Sequence, residues 1–83
     1  MKDYVYIVIE ENDLECETYS EVILVTRDLE NAKKEIKARA EVAKKDLNIT
    51  GKDGDYCDVQ ETKFYMENKT STITGRIEKK AIQ

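Results

Sequence analysis

The chain has 83 residues, of which 40% are apolar and 39% charged, with 18 acids, 14 bases and no histidine. A chain of this length builds one compact core, so we expect a single domain over residues 1–83. The net charge of −4 disfavours direct nucleic-acid binding, which requires a basic face against the phosphates. The longest apolar run, from Tyr4 to Ile9, is too short for a membrane span or a signal peptide, and with only two cysteines we expect a cytoplasmic protein.

The first predicted element is a β-hairpin. The run from Tyr4 to Ile9 is β-branched and aromatic, which is typical of a strand. Alternation gives it two faces, one with Val5, Ile7 and Ile9 and the other with Tyr4, Tyr6 and Val8. A polar stretch from Glu10 to Thr18 predicts the turn, and Val22 to Val25 predicts the second, antiparallel strand.

A long amphipathic helix is the next element. Its apolar stripe recurs at spacings of three and four residues and consists of Leu29, Ala32, Ile36, Ala40, Ala43 and Leu47. Asp28 is the predicted N-cap, with Thr26 as the rival, and the helix is expected to stop near Asn48. Acid–base pairs four residues apart mark the solvated side, namely Glu30–Lys34, Glu35–Arg39 and Glu41–Lys45.

The C-terminal part predicts a loop and a second hairpin. Residues 48–58 have loop composition, and strands are expected from Val59 to Met66 and from Thr70 to Ile82, with Gly75 as a candidate bulge. The expected fold is therefore α+β, an antiparallel four-stranded sheet in ββαββ order with one long helix packed on one face. The helix leaves the other face uncovered, and we place Tyr4, Tyr6 and Tyr65 there as a candidate contact for a partner or a second copy.

The residues offer no pattern for catalysis, cofactor binding or metal binding. The absence of histidine removes the commonest general base and most zinc sites. Cys16 and Cys57 are isolated, and acids flank Cys57, which disfavours an activated thiol. A calcium loop counted from Asp53 fails because Asp58 stands where the sixth-position glycine is required. We therefore expect a non-enzyme.

Charge is distributed unevenly along the chain. From Asp3 to Thr26 there are seven acids and no base. Five of these acids lie at the predicted hairpin tip: Glu10, Glu11, Asp13, Glu15 and Glu17. One interpretation is a solvated loop that protects the sheet edge from aggregation. The other is a binding surface for a protein with a basic surface.

Two further functions stay open. The tyrosine face could hold a small anionic metabolite with the help of Lys63, Arg76, Lys79 and Lys80. Alternatively, the chain is a homo-oligomeric structural protein. In each case the tyrosines would lie at a contact between copies or next to a ligand.

The order of segments resembles a group of small bacterial and phage proteins. The shared pattern is a Tyr/Val/Ile strand, an acidic turn, a Val-Ile-Leu-Val strand and then Thr-Arg-Asp-Leu-Glu-Asn-Ala-Lys opening a charged helix, from Tyr4 to Lys45. These proteins have ββαβ or ββαββ folds and include inhibitors of host defence such as anti-CRISPR proteins. The resemblance implies a phage or mobile-element origin, and it carries over no functional residue.

Overall fold

The computed structural model describes residues 3–51 and 54–82. Its elements are β1 (Asp3–Leu14), β2 (Glu17–Thr26), α1 (Leu29–Asp46), β3 (Tyr56–Val59), β4 (Lys63–Glu67) and β5 (Thr72–Ile82). The strands form one sheet in the order β2-β1-β5-β4-β3, and every neighbouring pair is antiparallel. The predicted α+β class with a single long helix is confirmed, but the sheet has five strands where four were expected.

The additional strand is β3, which lies within and just beyond the segment predicted to be a loop. It has only four residues and pairs with β4 along its whole length. The connection is closed by the backbone N–H of Gln60, which donates to the carbonyl of Lys63 at 2.8 Å. The strand was missed because it is short and follows a stretch rich in Gly, Asp and Asn, and its order comes from pairing with β4.

The first hairpin is longer than its apolar run predicts. β1 continues through the polar residues to Leu14, so the turn is confined to Glu15 and Cys16, within the stretch from Glu10 to Thr18 that was predicted for it. Polar residues extend the strand because its inward positions, Glu10 and Asn12, are satisfied inside the fold: they are 5% and 4% exposed.

The two faces of β1 are the reverse of the prediction. Val8 is 1% exposed, and Tyr6, in phase with it, packs against the core. By alternation Tyr4 also lies on the helix side, so the placement of Tyr4 and Tyr6 on the uncovered face is wrong. The apolar run itself gives no preference, since both faces of it are hydrophobic. The buried pair Glu10 and Asn12 shows which phase the helix covers.

The helix follows the sequence closely. The side chain of Asp28 accepts from the N–H of Glu30 at 2.9 Å, which confirms the N-cap, while the hydroxyl of Thr26 accepts from the N–H of Asp28 at 3.1 Å. Asn48, with a φ of 52°, ends the helix where the termination was expected. Within the described residues, no helix is long and apolar enough to cross a bilayer.

The core lies between the helix stripe and the inward face of the sheet. It consists of Val8, Ala32, Ile36, Ala40, Ala43, Leu47, Phe64, Met66 and Ile73. Small alanines on the stripe let the helix approach the sheet closely. Gly75 is not a bulge, since its pairing is regular on both sides. It is glycine because the ring of Phe64 occupies the space where a Cβ would stand.

Candidate functional site

Glu10 is a structural residue within the fold. Arg39, on α1, donates to both of its carboxylate oxygens, from Nε and from Nη2, each at 2.9 Å. Asn12 donates to the same carboxylate at 3.3 Å. The hydrogen bond to Glu10 raises the pKa of Arg39, which therefore keeps its charge. Glu10 is consequently not available to the predicted partner-binding surface, and Arg39 does not form the helix pair with Glu35 that spacing suggested.

Glu11 is exposed but also paired. It points to the opposite side of the sheet and accepts from Arg76 Nη1 at 2.5 Å. Arg76 in turn donates to Glu78 at 3.2 Å. These two carboxylates raise the pKa of Arg76. The negative charge of Glu11 is thus neutralised in place, which leaves it a smaller part in any external contact.

The remaining carboxylates of the predicted tip carry unneutralised charge. We call Asp13, Glu15 and Glu17 the acidic hairpin end; all three are exposed, at or beside the turn. Asp13 accepts from the Thr18 hydroxyl at 3.1 Å, and within residues 3–51 and 54–82 none of the three forms an ion pair. The structure therefore leaves three of the five predicted carboxylates, grouped at one end of the sheet, able to meet a cation.

Tyr19 lies next to this end, on a strand that also carries Glu17 and Glu21. It lies on β2 opposite Asn12, and its ring is 38% exposed. Partial desolvation raises its pKa, and the neighbouring charges of Glu21 and Glu17 add to the shift. The carboxylates of Glu21 and Glu17 oppose formation of a phenolate, so they act in the same direction as the larger effect of desolvation.

The three predicted tyrosines do not share a surface. Lys79 Nζ lies 4.0 Å from the centre of the Tyr4 ring, an arrangement that supports a cation–π interaction. Tyr65 does lie on the side away from the helix, which we call the open face, and its ring meets Tyr56 edge-on with centroids 5.6 Å apart. Tyr56 was missed because its segment was expected to be a loop; the alternation of Tyr56 and Asp58 with Cys57 and Val59 was the available signal.

A shallow groove of about 450 Å³ runs beside this tyrosine pair. Its open-face lining consists of Tyr56, Asp58, Lys63, Tyr65, Thr74 and Arg76. The groove has mixed charge, since Asp58 lies in it and Arg76 is held by two carboxylates. Of the four predicted anion-binding cations, it brings together only Lys63 and Arg76; Lys79 lies on the helix side of the sheet.

The open face also carries an apolar surface, which includes Ile7 and Ile9 because the phase of β1 is the reverse of the prediction. Ile7 pairs with Val25, and Ile9 pairs with Val22, across β1 and β2. Val22 is 63% exposed and Val25 57% exposed. We call these four residues the open-face patch. Ile7 and Ile9 are partly exposed between the two valines and the rest of the sheet. Contiguous apolar residues at the surface are typical of contact surfaces.

Cys16 and Cys57 and the acidic loop before Cys57 are the remaining candidates for chemistry in the sequence. Cys16 and Cys57 are both exposed and unbonded. In the described ranges no three cysteine or acidic side chains gather as metal ligands. Asp55 accepts from the backbone N–H of Thr50 at 2.9 Å, and the first residue tested for calcium, Asp53, lies outside the described residues.

Comparison of the chain with protein-family models, with curated proteins and with solved structures found no match.

Proposed function

We propose that this chain is a non-catalytic interaction protein whose acidic hairpin end covers a basic surface on another protein. The observation that carries the proposal is the grouping of Asp13, Glu15 and Glu17, all exposed and without an ion-pair partner in the described residues. The fold neutralises the other two carboxylates of the segment with Arg39 and Arg76. The three that it does not neutralise project from one end of the sheet.

The charge of the acidic hairpin end indicates which class of partner it would bind. A group of like charges without counter-charges favours the approach of an oppositely charged surface and raises the association rate. Protein surfaces that grip nucleic-acid phosphates are basic, because lysine and arginine neutralise the phosphate charge. In line with the resemblance to small phage proteins, the target we propose is a host protein, of the defence class, whose basic surface normally holds nucleic acid.

The groove on the open face supports an anionic-ligand function less well. A site for an anion needs cations that are free to meet it, and Arg76 is already shared between Glu11 and Glu78. Among the described residues that line the groove, only Lys63 adds a positive charge that is not in an ion pair, and Asp58 opposes it. We therefore rank a protein partner first.

The proposal is tested by reversing the same amount of charge at two different places. The variant D13K/E15K/E17K reverses the acidic hairpin end, and the control D3K/E41K/E61K reverses three exposed acids elsewhere and changes the net charge by the same amount. We expect the immobilised wild-type chain and the control to retain the same basic proteins from a bacterial lysate, and the hairpin variant to lose them. Circular dichroism checks that each variant is folded.

Two results would overturn the proposal. Retention of the same partners by the folded hairpin variant would exclude the acidic end as the contact. Equal loss in the control would show that net charge, and not its position, governs capture. For a purified partner, the association rate should fall steeply between about 50 and 300 mM salt, because screening shortens the reach of the field.

A further inference from the structure

The open-face patch lies within a lattice of side chains that the strand register defines. Ile7 is flanked by Val25 on β2 and by Glu78 on β5. In the next row along the strands, Ile9 is flanked by Val22 and by Arg76. Each of these two rows therefore has apolar residues on β2 and β1. On β5 the first row has an acid and the second row has a base.

This arrangement is complementary to itself. Consider two open faces in contact, related by a two-fold axis that lies between them. If the axis runs perpendicular to the strands and passes between the two rows, each row of one copy lies opposite the other row of the second copy. Ile7 then faces Ile9 of the second copy, and Val25 faces Val22. On the neighbouring strand, the Arg76–Glu78 pair of one copy faces the same pair of the other copy in reversed order. Apolar side chains thus meet apolar ones, and each arginine keeps its own carboxylates while it lies opposite a glutamate of the second copy.

From this complementarity we propose that two copies of the chain pack open face to open face. The product is a two-sheet sandwich with a helix on each outer side, a closed isologous dimer. Each copy contributes the open-face patch to the centre and the Arg76–Glu78 pair to the rim. The acidic hairpin ends lie beyond this contact, at opposite ends of the dimer, so the proposal does not depend on the proposed function.

The exposed edge of the sheet is a poorer contact for a second copy. The register of β1 and β2 shifts at Ile23, which leaves this residue as a bulge in the edge strand. Glu17 and Glu21 also lie on β2. Bulges and charges on an edge strand both oppose pairing with another strand. The long edge of the sheet is thus protected against strand pairing, whereas the valines of the open-face patch remain exposed.

Analytical ultracentrifugation of the full chain tests the proposal. The patch is small for an obligate dimer, so we expect reversible association that becomes visible between about 10 and 500 μM. V22K/V25K should weaken this association at least tenfold, because four lysines would meet in one apolar contact. Both valines are largely exposed in the single chain, so the variant should fold.

The matched control is V42K/V59K. These valines are 39% and 49% exposed, and they lie on the helix and on the helix-side face of β3. The control carries the same added charge and should associate as the wild type does. A wild type that stays monomeric at about 500 μM would overturn the proposal, as would a dimer that both variants weaken equally or that V22K/V25K leaves intact.

An isotope-filtered NMR experiment on a mixture of labelled and unlabelled wild-type chains needs no variant. Contacts between the methyls of Val22 and Val25 of different copies are expected from the two-fold arrangement. If the intermolecular contacts map to the helix or to the β2 edge, the proposed dimer is wrong.

Discussion

The two faces of the sheet carry similar apolar residues but differ in burial. On the helix side, Val8, Phe64 and Met66 are no more than 3% exposed and pack against the alanine-rich stripe of α1. On the open face, no helix or strand of the described residues covers the open-face patch, and Val22 and Val25 stay more than half exposed. The difference teaches that apolar alternation indicates a strand but does not say which of its faces is the core.

Two adjacent acids differ in burial in the same way, because one lies on each face of β1. Glu10 and Glu11 are neighbours in sequence, and each is paired with an arginine that is distant in sequence. The first pair is bidentate and its carboxylate is buried, whereas both side chains of the second pair are about half exposed. The loss of an ion pair lowers the free energy of unfolding by different amounts in these two surroundings. A matched pair of variants measures the difference directly.

The largest effect is expected from Arg39→Met. This change leaves the Glu10 carboxylate buried without a counter-charge, which we expect to lower the free energy of unfolding by about 3 kcal/mol. Arg76→Met removes an exposed arginine, so we expect a loss below about 1 kcal/mol. Urea denaturation of both variants under identical conditions gives the comparison. Equal losses would mean that burial does not distinguish the two pairs.

These residues also show which features of the fold can be predicted from the sequence. The helix, its N-cap at Asp28 and the buried stripe were predicted because period and capping are local properties. The orientation of β1 was not, because it depends on the Glu10–Arg39 pair, whose partners are separated by 29 residues. β3 was missed for the same reason, since its order comes from pairing with β4.

The candidate site divides along the same line. The net charge of a segment is the sum of its acids and bases, so the acidic character of the first hairpin could be predicted from the residues of that segment alone. Which of its carboxylates stay unneutralised depends on the positions of Arg39 and Arg76 after folding. The open-face patch could not be predicted either, because its residues read as ordinary core until the helix is seen to cover the other side.

A smaller effect is expected from Gly75→Ala. On the helix side its added Cβ meets the ring of Phe64, and shifting that ring in a packed core should lower the free energy of unfolding by about 1–3 kcal/mol. Thr74→Ala, at the adjacent position on the open face, should change it by less than about 0.5 kcal/mol. Thermal or urea unfolding of the two variants compares the faces at neighbouring residues. A Gly75→Ala variant as stable as the wild type would show that the Phe64 ring moves freely.

The smallest effect is a titration that sharpens the comparison without unfolding the chain. On the open face, the hydroxyl of Tyr65 donates to Glu67 at 3.0 Å, and this bond, with partial desolvation, raises the pKa of Tyr65 above its ordinary value of 10.0. Since the folded chain favours the neutral phenol, the associated stabilisation is present below pH 10 and is lost as the pH rises through the raised pKa.

Glu67→Gln separates this phenol from the one on the other face. The substitution removes the charged acceptor, so the pKa of Tyr65 should fall towards its ordinary value. The pKa of Tyr19 should not change, because desolvation and the charges of Glu21 and Glu17 raise it, and Glu67 is not among the causes. Carbon-13 NMR of the tyrosine ring carbons follows both phenols in one titration. A parallel fall in both values would mean that the open face and the helix side share one field, and would contradict the separation argued from Glu10 and Glu11.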